Sequence, residues 1–101
     1  MEAQKIIITG GATRIGAAIA ESLSGLNKEI VIQFNKSKIS AEKLKKKLLQ
    51  NGTKVYLIKA DLRKDKDVQK IVKFAKTKLK YFDCLINNAS LFENDKLENF
   101  T

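Results

Sequence analysis

At 101 residues the chain is long enough for one domain and short for a complete enzyme, and its 44% hydrophobic content marks it as a folding chain. Twenty Lys and Arg against 11 Asp and Glu give a formal net charge of +9, a field that attracts anionic ligands. His is absent and Cys84 is the lone cysteine, which excludes a His-based metal site, triad or pH switch and any internal disulfide.

The first element is Lys5-Ile6-Ile7-Ile8-Thr9, continuous and β-branched, the pattern of a buried parallel strand. It is too short for a signal-peptide core, and no run approaches the roughly 18 apolar residues of a membrane helix. With the single thiol, this places the chain in a reducing cytoplasm. The glycine-bearing turn Thr9-Gly10-Gly11-Ala12-Thr13-Arg14-Ile15-Gly16 leads into a helix whose apolar face is Ile15, Ile19, Leu23 and Leu26, with Gly25 near its end.

Glu29 to Phe34 reads as a second strand. A helix follows from about Ser40 to Gln50, with Ala41, Leu44 and Leu48 inward and Lys43, Lys45, Lys46 and Lys47 outward, closed by Asn51-Gly52. Lys54 to Lys59 is a third strand. Asp65 is placed to cap a third helix with an apolar stripe of Val68, Ile71, Val72, Ala75 and Leu79. Asp83 to Asn87 is a fourth strand, with Cys84 as a small core residue within it. Residues 88–101 read as a loop approaching a further element, and no boundary divides 1–101.

The order βαβαβαβ implies parallel strands joined by right-handed helical crossovers, a Rossmann-type α/β sheet in the spatial order 3-2-1-4. The switch point then lies between strands one and four. Ligands bind at the carboxyl ends of strands there, where the glycine turn and the stretch after Asn87 converge.

A helix start behind a buried strand offers free N–H groups and the positive end of a dipole, both suited to a pyrophosphate. Gly10 and Gly11 permit the tight turn, and Gly16 permits close helix–strand packing. A NAD-binding domain carries an acid at the end of strand two for the ribose 2′-OH. This chain instead reads Phe34-Asn35-Lys36-Ser37. Lys36 can pair with a 2′-phosphate, Asn35 or Ser37 can hydrogen-bond it, and Arg14 can reach the same group with its planar fork. The bland alternative is that Lys36 is one more surface lysine.

Thr9-Gly10 with Gly16, Asp61-Leu62 after strand three, and Asn87-Asn88-Ala89-Ser90 after strand four together resemble the short-chain dehydrogenase/reductase family. The resemblance runs from Lys5 to Thr101. It implies a nicotinamide cofactor, NADP(H) given the acid-free strand end. Gly10, Thr13, Arg14 and Ile15 would line its pyrophosphate and adenosine side, Asp61 with Leu62 would face the adenine, and Asn88, Ala89 and Ser90 would approach the cofactor ribose. Asn87 would help fix the sheet. Arg14 and Ser90 stand where the family commonly has Gly. With Asn-Ala-Ser, that combination resembles the pteridine reductase branch, in which an aromatic soon afterwards stacks on the pterin ring; Phe92 stands at that position. Packing of Phe92 onto the core is the equal alternative.

Family catalysis uses a Tyr four residues before a Lys, with a Ser upstream. The tyrosines here are Tyr56 and Tyr81, followed four residues on by Ala60 and Leu85. Tyr56 and Lys59 are one residue too close and face opposite sides of a strand. The chain is therefore expected to be the nucleotide-binding half of a truncated doubly wound fold, inactive alone. An exposed strand edge would make it prone to associate. The full-length enzyme would transfer hydride from NADPH to a pterin or carbonyl small molecule, and family members commonly assemble as homo-oligomers. Two other classes fit the residues: a stand-alone dinucleotide-binding module, and a basic nucleic-acid-binding protein. The latter has no recognition helix or aromatic strand motif behind it.

Overall fold

The computed structural model describes residues 4–10 and 14–87. They form β1 (Gln4–Thr9), α1 (Arg14–Leu23), β2 (Lys28–Phe34), α2 (Lys38–Gln50), β3 (Lys54–Lys59), α3 (Asp65–Leu79) and β4 (Cys84–Asn87). The four strands make one parallel sheet in the order β3-β2-β1-β4. Each expected element is present, with strand ends within a residue of expectation. Helix α2 begins at Lys38, two residues early.

The β-branched runs supply both faces of the sheet. Ile6, Ile8, Ile30, Ile32 and Val55 pack under α1 and α2 with Ala20, Leu44 and Leu48. Ile7, Val31, Ile58 and Ala60 pack against Ile71, Ala75 and Leu79 of α3 on the other face. Ile8, Ile30, Val31 and Ile32 are wholly buried, as a continuous apolar run between two helical layers requires. Fully burying each such side chain is worth about 1.5–3 kcal/mol.

Six expectations about individual side chains are corrected. Helix α1 buries Gly16 and Ala20, while Ile15 is 68% and Leu26 81% exposed. Small residues at i and i+4 let the helix lie close to the sheet. Ile15 falls on the flank in the first turn, and Leu26 lies beyond the helix end. Helix α3 buries Ile71, Ala75 and Leu79 but leaves Val68 and Val72 exposed, since it packs beneath β2 and β3. Asp65 does not cap α3. Lys64 holds the cap position, Asp65 is already helical, and the Asp67 carboxylate accepts the Asp61 backbone N–H at 2.6 Å.

Cys84, expected in the core, is exposed. It opens a four-residue strand that pairs within the described sheet only with β1. On the same strand Leu85 is 56% exposed, while Ile86 packs against the α1 side of the core.

The amino end of the sheet is closed by reciprocal polar ties. Thr53, 2% exposed, accepts the Gly25 N–H at 2.7 Å and donates to the Gly25 carbonyl at 3.1 Å, pinning the α1–β2 turn to the α2–β3 turn. Gly52 beside it has φ +86°, a backbone state that glycine enters without strain. Across the sheet, Asp83 accepts the Lys5 N–H through its carboxylate, and its own N–H donates to the Lys5 carbonyl. The Lys5 ammonium caps the Leu79 carbonyl at the end of α3 and sits 4.3 Å from the Tyr81 ring centroid.

Candidate functional site

The other end of the sheet carries the residues that the sequence singled out. Gly10 ends β1 in a turn with φ +67°, a backbone state that glycine enters without steric cost. Arg14 and Ile15 open α1 and are exposed. At the end of β2 the Phe34 side chain is buried, and its carbonyl accepts the Ala60 N–H at 2.9 Å. Asn35, Lys36 and Ser37 follow it, all exposed. Strand order alone therefore brings the start of α1 and the start of α2 to one end of the sheet. Thr13, Asn88, Ala89, Ser90 and Phe92 lie outside the described residues, as does the whole 88–101 segment.

The helix starts differ in charge. Neither α1 nor α2 has an acid in its first turn. Ser37 occupies the N-cap of α2 but makes no side-chain cap hydrogen bond. Its hydroxyl is not spent on the helix, and Lys36 and Lys38 flank it. Helix α3 is the opposite case, with Asp65 and Asp67 in its first turn. Carboxylates there complement the dipole and leave no welcome for an anion. The helix starts free of acids at this end are thus those of α1 and α2.

Asp61 and Leu62 follow β3. Leu62 packs against the α3-side core. The Asp61 carboxylate is held in a fork by Arg63, with Nε to one oxygen and an Nη to the other, both at 3.0 Å. The Arg63 backbone N–H adds a third bond at 3.0 Å. The Arg63 side-chain bond, then its backbone bond, hold the Asp61 carboxyl down at about 2, from an ordinary 3.8. The same pairing raises the Arg63 guanidinium. Asp61 is thus an anion throughout the physiological range, fixed in orientation beside the sheet end.

Gln33, which the sequence reading left out, and Thr9 with Asn87 tie this end together. Gln33, 3% exposed, accepts the Gly10 N–H through Oε1 at 2.7 Å and donates Nε2 to the Ala60 carbonyl at 2.6 Å. One amide thereby joins the turn after β1 to the residue after β3. The Thr9 hydroxyl donates to Asn87 Oδ1 at 2.9 Å and joins β1 to β4. The signal for Gln33 was present: a lone amide inside an otherwise apolar strand, one residue from its carboxyl end. Arg63 carried no such signal, because its partner is set by the turn between Asp61 and Lys64.

Among the described residues no group of three or more Cys, Asp or Glu is arranged to hold a metal, and no helix is long and apolar enough to cross a membrane.

Comparison with known proteins agrees with this architecture. The model of the short chain dehydrogenase family matches residues 4–101. An oxidoreductase of Methylorubrum extorquens, itself uncharacterized, is 27% identical over all 101 residues, which span 41% of that protein. The NADP complex of FolM alternative dihydrofolate reductase 1 from Brucella canis is 35% identical, with a TM-score of 0.76 over 88% of this chain and 36% of that one. An NADH-dependent reductase, A1-R′, complexed with NAD is 26% identical, with a TM-score of 0.75 over 85% of this chain and 36% of that one. The chain spans about two fifths of the length of these proteins. With a family match across nearly its whole length, on a parallel sheet of the same strand order, the chain belongs to the short chain dehydrogenase family.

Proposed function

We propose that the chain is the NADP(H)-binding region of a short-chain oxidoreductase, one that reduces a pterin or carbonyl substrate. The observation that carries the nucleotide assignment is the end of β2. There Asn35, Lys36 and Ser37 are exposed with no acid among them, at the start of a helix whose cap hydroxyl is uncommitted. A carboxylate at this place would repel a 2′-phosphate, whereas an ammonium and a hydroxyl suit one. Arg14 at the acid-free start of α1 adds a second cation at the same sheet end. The Gly10 turn and the α1 start suit the pyrophosphate. Asp61 and Leu62 would border the adenine side, and Asn88, Ala89 and Ser90 are assigned to the cofactor ribose.

The bound nucleotide would supply the reducing equivalent. The residues of this chain bind and orient it. The 101 residues contain no Tyr-x-x-x-Lys, so proton delivery to a substrate falls outside them. The chain by itself then binds nucleotide without turnover. Phe92 is the residue assigned to stack on a pterin. The likeness to a dihydrofolate reductase complexed with NADP supports both the nucleotide and the substrate class. The setting is cytoplasmic, and the partners are small molecules and, in the whole enzyme, further copies of itself.

The test is titration of NADPH and NADH into the purified chain, repeated with Arg14→Ala. Preference for NADPH that shrinks in the variant is expected; equal affinity of the parent for both removes the basis of the 2′-phosphate assignment. In parallel, NADPH oxidation is followed with pterin and carbonyl substrates. Sustained turnover by the parent would show that proton delivery lies within these 101 residues after all.

A further inference from the structure

Most of the polar side chains bonded at the two ends of the sheet are exposed or half-buried. Gln33 is 3% exposed and spends both ends of its amide on backbone groups of other elements, the Gly10 N–H at 2.7 Å and the Ala60 carbonyl at 2.6 Å. Burying an amide among apolar residues is costly unless both ends are bonded, and here both are. The surrounding α3-side core, with Val31 and Ile58 beside it in the sheet, would accept a Leu or Met of similar size at no such cost.

The two groups it joins are not neighbours in the sheet. Gly10 follows β1 and Ala60 follows β3, with β2 between them. Ordinary ladder bonds connect only adjacent strands. The Gln33 amide reaches both ways from the middle strand. Gly10 sits at a positive φ, so its N–H direction is set by the turn, and a bond to that N–H fixes the turn in return. Ala60 immediately precedes Asp61, whose carboxylate is itself held by Arg63.

We infer that Gln33 is a positioning residue that locks the glycine turn to the end of β3, so that the pyrophosphate side and the adenine side of the nucleotide site are set as one rigid unit. The inference rests on the nucleotide-binding reading above. Gln33 itself touches no ligand; it acts through Gly10 and Ala60. Its loss frees the turn to sample other orientations, so affinity falls for ligands that need the turn and holds for ligands that do not.

The experiment compares the parent chain with Gln33→Met and Gln33→Glu. NADPH, which carries a pyrophosphate, and adenosine 2′-monophosphate, which has no 5′-phosphate, are titrated into each, and amide hydrogen exchange is read at Gly10. Gln33→Met should weaken NADPH by on the order of tenfold, leave the monophosphate within about twofold, and speed Gly10 exchange at least tenfold. Gln33→Glu keeps an acceptor for Gly10 and should recover slow exchange there. Equal weakening of both ligands assigns Gln33 a purely structural role and overturns the proposal. So does Gly10 exchange that is unchanged in Gln33→Met. If the parent binds neither ligand, the nucleotide reading fails on its own. The Gly10 exchange still decides whether the amide locks the turn, and Gln33→Glu keeps that arm interpretable should Gln33→Met fail to fold.

Discussion

The two ends of the sheet are built from the same strands and finished in opposite ways. At the amino end the ties are reciprocal and spend their polar groups on each other. Thr53 both accepts from and donates to Gly25, Lys5 and Asp83 exchange bonds, and the Lys5 ammonium ends on the Leu79 carbonyl. At the carboxyl end the ties run beneath the surface, through Gln33 and Thr9, and Arg63 is held on Asp61, while Arg14 and Lys36 stay exposed. At this same end the start of α3 carries its own acids, Asp65 and Asp67, whereas the starts of α1 and α2 carry none. What separates the two ends, among the described residues, is where the hydrogen bonds stop.

Four substitutions bear on that contrast. The largest effect is expected for Thr53→Val, which strips a buried hydroxyl from both Gly25 groups and should cost about 2–3 kcal/mol of unfolding free energy. Chemical denaturation measures it, and NADPH affinity should stay within about twofold; a large loss of affinity would mean that the ends are not independent. Lys36→Asp is the converse. It should weaken NADPH at least tenfold, about 1.4 kcal/mol or more, and bring NADH nearer to parity. Its stability should remain within about 0.5 kcal/mol, because the residue is exposed.

Thr9→Val removes the β1–β4 tie to Asn87 and should cost about 1 kcal/mol, read as faster amide exchange confined to β4. A global change in exchange would show that β4 is not a separate unit. The smallest effect belongs to Arg63→Met. Asp61 titrates at about 2 in the parent, below its ordinary 3.8. A carboxyl with a lowered folded value favours the fold above its unfolded value, and that contribution fades as pH falls from about 4 to about 2. In the variant the Asp61 carboxyl resonance should titrate nearer 3.8. An unmoved midpoint would assign the depression to groups other than the Arg63 guanidinium.

Much of this was legible in the sequence, and the misses share a cause. The strands declared themselves because β-branched runs buried on both faces have no other home, and the strand order followed from the crossovers. Ala41, Leu44 and Leu48 were placed correctly because that face of α2 lies on β2 and β3. Ile15, Leu26, Val68, Val72 and Cys84 were assigned inward by periodicity or residue type, yet stand at element ends, on flanks or on the edge strand. Periodicity finds the face of a helix but not how much of that face the sheet covers. The cation-bearing turn after β2 was visible because the acid expected there is absent. The Gln33 lock was not, since its partners are backbone groups 23 and 27 positions away.

The strand order also sets a timetable. Thr9 and Asn87 are 78 positions apart, and β1 takes its second neighbour from β4 rather than from a strand made soon after it. While the chain is being synthesised, β1 and β2 can pair early, but the far edge of β1 waits for β4. At about 5–20 residues per second that wait lasts on the order of several seconds. Through that interval the centre of the finished sheet is a bare edge, with Ile6, Ile7 and Ile8 beside unpaired backbone groups. The newborn chain is therefore vulnerable to wrong pairing along a strand that ends up inside the sheet.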